Sequence, residues 1–178
     1  MTRKITGIMA CDPNGVIGKH GCMPWSYKKD IDFFTKTTDQ QIIIMGYKTF
    51  QALPTSILTN RFNIVFSRQP YADKENIIFV KSIKEFQALE CLPPKKECYV
   101  IGGGELARLF LLENLIDEFL LTRFNKCYDG DKFFPLDLLK GYKEVILYQD
   151  EDFTIYKFLF LKSTKILAED DLCQKFNA

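Results

Sequence analysis

The clearest indication of the fold is the stretch Cys98-Tyr99-Val100-Ile101-Gly102-Gly103-Gly104-Glu105. Four residues typical of a buried strand lead into three consecutive glycines, and a helical pattern follows. A strand that enters a helix through glycines exposes backbone N–H groups to an anion at the start of the helix. A tight strand-to-helix turn is the alternative, but three consecutive glycines exceed what such a turn needs. We therefore favour contact with a phosphate or a cofactor here.

The same stretch fits the G-x-G-x-x-G/A pattern of dinucleotide-binding proteins through Gly102, Gly104 and Ala107. The match is weak. The segment lies past the middle of the chain, and no acidic residue ends the next predicted strand about 20 residues later, where a ribose would be held.

Strands and helices alternate on both sides of this stretch. We predict strands over residues 5–11, 41–45, 61–67, 77–80 and 98–101. We predict helices over residues 27–37, 47–53, 83–89 and 105–114, with Ser26 as N-cap of the first and a capping box of Ser82 and Glu85 at the third. Three late strands, over residues 118–124, 142–149 and 153–161, have no long helix between them.

This order predicts an α/β fold with a mostly parallel, twisted central sheet of about eight strands, an antiparallel C-terminal edge and helices on both faces. We expect a single domain over residues 1–162 and a polar C-terminal tail over residues 163–178.

The composition describes one globular domain without a strong charge. The chain has 178 residues, with 24 Lys and Arg against 23 Asp and Glu, and a net charge of +1. This balance gives no reason to expect nucleic acid or an anionic membrane as a partner, and no apolar run approaches the length of a membrane span.

Six cysteines without a C-x-x-C pair favour a reduced, cytoplasmic compartment. The single histidine, His20, argues against a zinc site, and we predict no bound metal.

A carboxylate is predicted on the apolar face of the first helix. If this helix begins after Ser26, Asp30 and Phe34 lie one turn apart on the same face, with Ile31 beside them. A carboxylate that faces the core needs a cationic partner, or it must face a pocket, where desolvation raises its pKa. A solvated aspartate at the edge of the apolar stripe is the alternative.

These residues are part of an ordered set that resembles the dihydrofolate reductase family from about residue 5 to residue 161. The spacing Trp25-x4-Asp30-x3-Phe34 is the most specific part of the resemblance. The rest of the set is Ala10, Asn14, Gly15, Val16, Ile17, Gly18, Met23, Pro24, Ile44, Met45, Gly46, Thr49, Phe50, Arg61, Asn63, Ile64, Val65, Ser67, Ile101, Gly102, Gly103, Gly104, Thr122, Gly130, Asp131, Phe134 and Pro135.

The resemblance implies hydride transfer from NADPH to dihydrofolate, with a proton added at N5 of the pterin. Asp30 would anchor the pterin and promote this protonation, and Trp25 and Thr122 are the other implied catalytic residues. Arg61 would hold the α-carboxylate of the substrate's glutamate tail, a task suited to a planar bidentate donor. The implied substrate-binding residues are Ile8, Asp30, Ile31, Phe34, Arg61 and Thr122.

The resemblance also implies an NADPH site along the glycine stretch. Residues 15–25 resemble the mobile lid that closes over the nicotinamide in this family. The implied cofactor-binding residues are Ala10, Ile17, Gly18, Met23, Gly46, Lys48, Thr49, Ser67, Arg68, Lys81, Ile101, Gly102, Gly103, Gly104, Glu105 and Leu106.

The chain departs from the family pattern at two positions of the cofactor site. Tyr47 stands where the family usually carries the cation that meets the 2′-phosphate of NADPH, and Lys48 and Arg68 are the candidates to replace that charge. Ala107 stands where members commonly place a tyrosine against the nicotinamide. We still expect NADPH, with Arg68 as the main determinant of its preference over NADH.

Two other functions are compatible with parts of the pattern. The reductase of riboflavin biosynthesis shares the fold and a nicotinamide cofactor, and a non-catalytic nucleotide-binding module would retain the glycine turn. Asp30 on an apolar face opposite a tryptophan-containing lid favours the pterin reductase. For that function we expect a monomer whose partners are dihydrofolate and antifolate inhibitors, with no nucleic acid and no membrane.

Overall fold

The computed structural model describes residues 3–160, and its centre is a sheet of eight strands. The strands are β1 (Ile5–Cys11), β2 (Val16–Gly18), β3 (Ile42–Gly46), β4 (Phe62–Phe66), β5 (Ile77–Val80), β6 (Cys98–Gly102), β7 (Glu118–Phe124), β8 (Lys132–Phe133), β9 (Tyr142–Gln149) and β10 (Phe153–Phe160). The helices are α1 (Lys28–Thr37), α2 (Tyr47–Ala52), α3 (Thr55–Thr59), α4 (Ile83–Gln87) and α5 (Gly104–Leu112). A 3-10 helix spans Leu136–Leu139.

The described part of the chain has the strand order β5-β4-β3-β6-β1-β7-β10-β9 in this sheet, and β2 and β8 form a separate pair. Neighbouring strands from β5 to β7 are parallel, whereas β10 is antiparallel to both β7 and β9. The predicted mostly parallel sheet with an antiparallel C-terminal edge is therefore confirmed.

The near-continuous isoleucines of β3 explain why this strand lies inside the sheet. Ile42 and Ile44 pack into the layer that contains α5, whereas Ile43 and Met45 pack into the layer that contains side chains of α1 and α2. All four side chains are fully buried. A strand that is apolar on both faces needs helices on both faces, and the predicted two-sided arrangement is confirmed.

The predicted boundaries agree with the structure to within two residues for each long element in the described residues. Four short elements were not predicted: β2, α3, β8 and the 3-10 helix. Each has five residues or fewer, too short for a periodic pattern of apolar residues to appear.

The predicted N-cap of α1 is wrong. The helix begins at Lys28, its N-cap residue is Tyr27, and no side chain caps it. Ser26 has a good local propensity for capping, but the tertiary packing of Tyr27 decides where the helix begins. At α4, one of the two hydrogen bonds of the predicted capping box is present. Ser82 Oγ accepts a hydrogen bond of 3.2 Å from the Glu85 N–H, although the Glu85 carboxylate accepts from the Lys81 N–H rather than from that of Ser82.

The predicted boundary between the domain and its tail, at residues 162 and 163, lies outside the described residues, as does the last residue of the predicted strand 153–161. Among residues 3–160, no helix combines the length and the apolar character that crossing a membrane requires.

The carboxyl ends of β1, β6 and β3 lie side by side at one edge of the sheet. β6 is inserted between β1 and β3, although both precede it in the chain. At this edge, α2 follows Gly46 directly and α5 begins at Gly104. In open α/β sheets, ligands bind outside the carboxyl ends of the strands at such a switch in strand order. A ligand site is therefore expected at this edge of the sheet.

Candidate active site

Asp30 is the one buried residue of α1, with 9 % of its surface exposed. Its neighbour Ile31 is 42 % exposed, and Phe34 is half-buried. The prediction that Ile31 lies beside Asp30 on a buried face of α1 is wrong, because Asp30 is buried whereas Ile31 is exposed to solvent. An exposed apolar side chain beside a buried polar group is typical of the rim of a ligand cleft rather than of an amphipathic surface helix.

Thr122 is the hydrogen-bond partner of the buried carboxyl group. Burial raises the pKa of Asp30 above its ordinary value, and the hydrogen bond with the Thr122 hydroxyl partly opposes this shift. Thr122 is itself buried on β7, where it pairs with Ala10 of β1. No Lys, Arg or His within residues 3–160 forms an ion pair with Asp30. Of the two environments expected for this acid, the cationic partner is thus absent from the described residues, and the solvated alternative is excluded by its burial.

Trp25 lies at the end of the lid segment and packs into a cluster of aromatic rings. Its ring centroid is 4.7 Å from that of Phe124 and 5.2 Å from that of Tyr128. The side chain is 8 % exposed, yet its indole N–H has no hydrogen-bond partner among the described residues. A buried donor in this state is available to a ligand or to a bridging water.

The lid segment is attached to the loop that contains β8. β2 pairs with β8, the Asp131 N–H donates to the Gly18 carbonyl at 3.0 Å, and Lys19 forms an ion pair of 2.5 Å with Asp129. The lid also lies against the start of α5, because a Cβ at Gly104 would lie 3.1 Å from Ile17 and would overlap the Phe133 carbonyl oxygen. A side chain at position 104 is therefore excluded by this contact.

Three glycines and a threonine form an open edge at the carboxyl ends of β3 and β6, which we call the glycine edge: Gly46, Gly102, Gly103 and Thr49. A Cβ added at Gly46 would meet nothing closer than the Gly103 nitrogen at 4.0 Å, and one at Gly103 would lie 3.6 Å from Thr49 Oγ1. Gly102 has φ = 141°, a conformation that favours glycine. The space that side chains would fill is thus left open next to the start of α5. The residues present therefore fit a ligand phosphate that approaches the backbone closely.

Arg61 lies at the opposite end of α1 from Asp30. Its guanidinium donates hydrogen bonds to Thr38 Oγ1 (3.0 Å), the Ile57 carbonyl (2.9 Å) and the Thr35 carbonyl (2.9 Å). These bonds use three of the five N–H donors of an arginine and leave two. Since Asp30 and Thr38 are eight residues apart, the two polar sites are separated by about 12 Å along the helix. An elongated ligand can therefore reach both.

The predicted phosphate-binding side chains lie beyond the ends of β3, β4 and β5. Ser67 is buried, and its hydroxyl both donates to the Gln69 carbonyl and accepts from the Gln69 N–H. Lys48, Arg68 and Lys81 are exposed. The backbone of Ser67 and Val80 is hydrogen-bonded at 2.9 Å, which brings the ends of β4 and β5 together. Three cations are thus available near the glycine edge.

The other predicted residues are divided between the two layers. Ile8 and Ile101 pack into the layer that contains α1, whereas Leu106 packs into the opposite layer with α5. Met23 of the lid and Glu105 in the first turn of α5 are exposed. The structure therefore does not bring the Leu106 side chain to the cleft, and only its backbone can contribute there.

Comparison with known proteins identifies the family. A sequence model of dihydrofolate reductase matches residues 4–165. The chain is 38 % identical over 143 residues to a putative dihydrofolate reductase of Caenorhabditis elegans, covering 72 % of this chain and 76 % of that protein. It is 36 % identical over 132 residues to dihydrofolate reductase of Bacillus subtilis (74 % and 75 %) and 38 % identical over 128 residues to that of Haemophilus influenzae (72 % and 76 %). The chain belongs to the dihydrofolate reductase family.

The structure shows what surrounds Tyr47 and Ala107, the two positions at which the chain departs from the pattern of dihydrofolate reductases. The Tyr47 ring stacks on that of Tyr71, with centroids 4.6 Å apart and planes 13° apart, and Tyr71 in turn contacts Phe79. Tyr47 is therefore engaged in an aromatic stack rather than directed at an anion. Ala107 is fully buried on the side of α5 that faces the core.

Sequence reasoning missed one residue of this dihydrofolate reductase site. Asp12 follows β1 directly, is fully buried, and accepts hydrogen bonds from three backbone N–H groups. Its Oδ1 accepts from Asn14 (2.9 Å) and Val16 (2.7 Å), and its Oδ2 accepts from Tyr128 (2.9 Å). Asp12 thereby joins the base of the lid to the loop after β7. An aspartate two residues before Asn-Gly signals an Asx turn, but nothing local indicates Tyr128.

Proposed function

We propose that this protein reduces 7,8-dihydrofolate to 5,6,7,8-tetrahydrofolate, with NADPH as the hydride donor. The observation that carries this proposal is Asp30, a buried carboxylate of α1 with Thr122 as its neighbour and without a cationic partner in the described residues. Membership of the dihydrofolate reductase family supports the reaction, and the geometry supports the following roles for individual residues.

Asp30 anchors the pterin ring. A carboxylate has two acceptor oxygens, which match the 2-amino group and the N3–H of a pterin. Removal from water strengthens this contact, and the negative charge favours the protonated form of the pterin. Thr122 orients the carboxylate, and the unpaired indole N–H of Trp25 is the donor on the lid side of the cleft.

Ile8, Ile31 and Phe34 form the apolar walls in this proposal. Ile8 is buried on the sheet, and Ile31 and Phe34 flank Asp30 on α1. Arg61 binds the α-carboxylate of the glutamate tail through its two remaining N–H donors. Its three bonds to the chain hold the guanidinium in place before the ligand arrives, and this preorganisation reduces the entropic cost of binding.

The glycine edge and the start of α5 bind the cofactor. A bound nicotinamide dinucleotide supplies the hydride. Gly46, Gly102, Gly103 and Thr49 approach its phosphates, and the lid residues Ile17, Gly18 and Met23 cover the nicotinamide end and exclude water. The remaining contacts in this proposal are those of Ala10, Ile101, Gly104, Glu105 and the Leu106 backbone.

The 2′-phosphate of NADPH is recognised by Arg68, together with Ser67, Lys48 and Lys81. Tyr47 does not take part, because its ring is stacked on Tyr71. Arg68 has a planar fork of N–H donors that suits a phosphate, whereas the two lysines act as point charges.

We propose further that the protein acts as a monomer in the cytoplasm and binds antifolate inhibitors through Asp30. One chain supplies every residue of the site described above. The five cysteines within the described residues are free thiols, which is typical of a reducing compartment.

The direct test is the loss of reduced-nicotinamide absorbance with purified protein and dihydrofolate, with NADPH and NADH in turn. We expect turnover with both and a lower KM for NADPH. The substrate of the riboflavin-pathway reductase serves as the second arm. Turnover of that substrate in place of dihydrofolate would contradict the proposal.

The cofactor preference is tested with Arg68→Ala. Loss of one charged contact to phosphate corresponds to about a tenfold rise in the KM for NADPH. The KM for NADH should stay within about twofold, because NADH carries no phosphate at this position. Lys143→Ala, which removes an exposed cation on β9 at the opposite edge of the sheet, is the matched control. An equal effect of Arg68→Ala on both cofactors would place the phosphate elsewhere.

A further inference from the structure

The start of α1 lacks the side-chain cap that helices usually have. Tyr27 occupies the N-cap position with φ = −115° and ψ = 114°, and no side chain accepts from the first-turn N–H groups. The Tyr27 carbonyl accepts the hydrogen bond of 3.1 Å from the Ile31 N–H. Asp30 lies in this same turn, three residues after Tyr27. Whatever holds Tyr27 in place therefore also determines where the buried carboxylate is located.

Tyr27 is held by contacts with a distant part of the chain. Its ring is stacked on that of Phe124 of β7, with centroids 4.7 Å apart and planes 21° apart. Its hydroxyl lies 2.8 Å from the hydroxyl of Tyr128, and these residues are 101 positions apart in the sequence. This hydroxyl–hydroxyl bond, which we call the tyrosine bridge, joins the start of α1 to the loop after β7.

Tyr128 is in turn fixed to the base of the lid. Its backbone N–H donates to Oδ2 of the buried Asp12 at 2.9 Å, and Asp12 also accepts from Asn14, which directly precedes the lid, and from the lid residue Val16. Burial, and then the hydrogen bond with Tyr27, raise the pKa of Tyr128 to about 12. The Tyr128 hydroxyl therefore remains protonated throughout the neutral range.

The bridge encloses Trp25. The indole lies between Phe124, at 4.7 Å, and Tyr128, at 5.2 Å, while Tyr27 covers another part of the same Phe124 ring. Trp25 and Asp30 thus lie on either side of Tyr27 in the sequence, and Trp25 also contacts the Tyr128 ring directly. A Tyr128 without its hydroxyl would keep its ring contact with Trp25 but would lose its connection to α1.

We propose that the Tyr27–Tyr128 bridge is a positioning device that holds the Trp25 indole and the first turn of α1 in register with each other. Tyr27 and Tyr128 are then positioning residues, which act on the reaction only through Trp25 and Asp30. The part of this inference that concerns turnover rests on the proposed reduction of dihydrofolate. The part that concerns the orientation of Trp25 does not.

The test uses Tyr128→Phe and Tyr27→Phe, which keep both rings and remove one hydroxyl each. Trp25 is the only tryptophan in the chain, so its fluorescence reports on this site alone. We expect each variant to increase acrylamide quenching of Trp25 by about twofold and to lower kcat by about three- to tenfold, the loss that one hydrogen bond produces. The KM for NADPH should not change, and the acidic limb of the kcat/KM profile should shift because Asp30 moves.

Two features of the design separate positioning from simple packing. The double variant Tyr27→Phe/Tyr128→Phe should be no worse than either single variant, because both remove the same bond. Tyr156→Phe is the matched control, because Tyr156 lies on β10 and packs into the opposite layer. It should change neither the fluorescence nor the pH profile. A thermal melt confirms folding, and either single variant suffices if the other does not fold.

The inference is overturned if quenching stays at the value of the unmodified protein, or if the two single effects add in the double variant. It is also overturned if the fluorescence changes while kcat and the pH profile do not, because the bridge would then serve packing alone. Failure of the proposed function gives a different result. The unmodified protein would not oxidise NADPH with dihydrofolate, whereas the quenching measurements would still decide whether the bridge holds Trp25.

Discussion

The two ends of the cleft are built by different means. At the acid end, Asp30, Thr122 and Trp25 are buried side chains whose positions are set by contacts with β7 and its following loop. At the glycine edge the site is formed by backbone, and a Cβ at Gly46 or Gly103 would meet only loose contacts. The acid end is therefore assembled when the protein folds and carries the cost of a desolvated carboxylate. The glycine edge carries no such cost and gains its polar partners only from a ligand.

Changes at the acid end should therefore act on chemistry and on pH dependence, whereas changes at the glycine edge should act on cofactor affinity and leave chemistry intact. The following predictions test this contrast, from the largest expected effect to the smallest.

Asp30→Asn should lower kcat at neutral pH by at least about 100-fold, the typical contribution of a group that manages protonation in a reaction. The amide keeps the shape of the side chain but loses the charge that favours the protonated pterin. The loss should become smaller at low pH, where the substrate is already protonated. Steady-state rates across the pH range check this. Asp32→Asn, which changes an exposed carboxylate paired with Lys28, is the matched control. Rates near those of the unmodified protein for Asp30→Asn would remove Asp30 from the mechanism.

Arg61→Ala should raise the KM for dihydrofolate by about 10- to 100-fold, because it removes a charged double hydrogen bond to the glutamate tail. A pterin substrate without this tail should be affected far less. Arg61 also bonds to two carbonyls and a threonine, so the variant should melt at a lower temperature. Because both substrates are measured with the same variant, its loss of stability affects both measurements equally, and the difference between the two KM values reports on the glutamate tail. If both substrates lose equally, the arginine serves the fold alone.

Gly46→Ala should raise the KM for NADPH about fivefold to tenfold while kcat at saturation stays the same. Gly46 has φ = −76° and ψ = 156°, which any residue adopts, and the added Cβ has open space around it. Stability should therefore rise by about 0.4–1 kcal/mol through the reduced freedom of the unfolded chain. Denaturant unfolding and cofactor titration measure the two effects separately. Gly104→Ala is the contrasting variant, since its Cβ would overlap the Phe133 carbonyl, and it should lower stability. An unchanged KM for Gly46→Ala would mean that the cofactor does not approach this edge.

The smallest effect concerns the stability of the acid end. Burial raises the pKa of Asp30 in the folded protein above its value of about 3.9 in the unfolded chain, so the folded state binds more protons between these two values. The free energy of unfolding therefore falls as the pH rises through this window, and the penalty is fully present at neutral pH. Asp30→Asn should remove it and stabilise the protein at pH 7 by less than about 2 kcal/mol.

The stabilisation by Asp30→Asn should disappear below about pH 3.9, where the unmodified carboxyl is neutral in both states. Urea unfolding of both proteins at several pH values measures this difference. A variant that is less stable at neutral pH would mean that the carboxylate is compensated rather than strained. The acid end, like the glycine edge, would then carry no net desolvation cost.

Much of the fold could be predicted from the sequence, because its signals are local. The isoleucines of β3 specify a strand buried on both faces, and the three glycines before α5 specify an open strand-to-helix turn. The resemblance to the dihydrofolate reductase family supplied the predicted site residues. The sequence could not distinguish a buried Asp30 from a solvated one, because the spacing of α1 is the same in both cases.

The sequence by itself determined the order of strands and helices and the location of the glycine edge. These follow from backbone preferences and from residue types that act within a few positions of each other. Only the tertiary structure decided that Tyr27 rather than Ser26 is the N-cap residue of α1, that Arg61 keeps two donors unused by the described residues, and that Asp12 joins two loops. Each of these outcomes depends on partners far apart in the chain, such as Tyr27 and Tyr128, which are 101 residues apart. Long-range contacts of this kind can override a good local signal, as they do at Ser26.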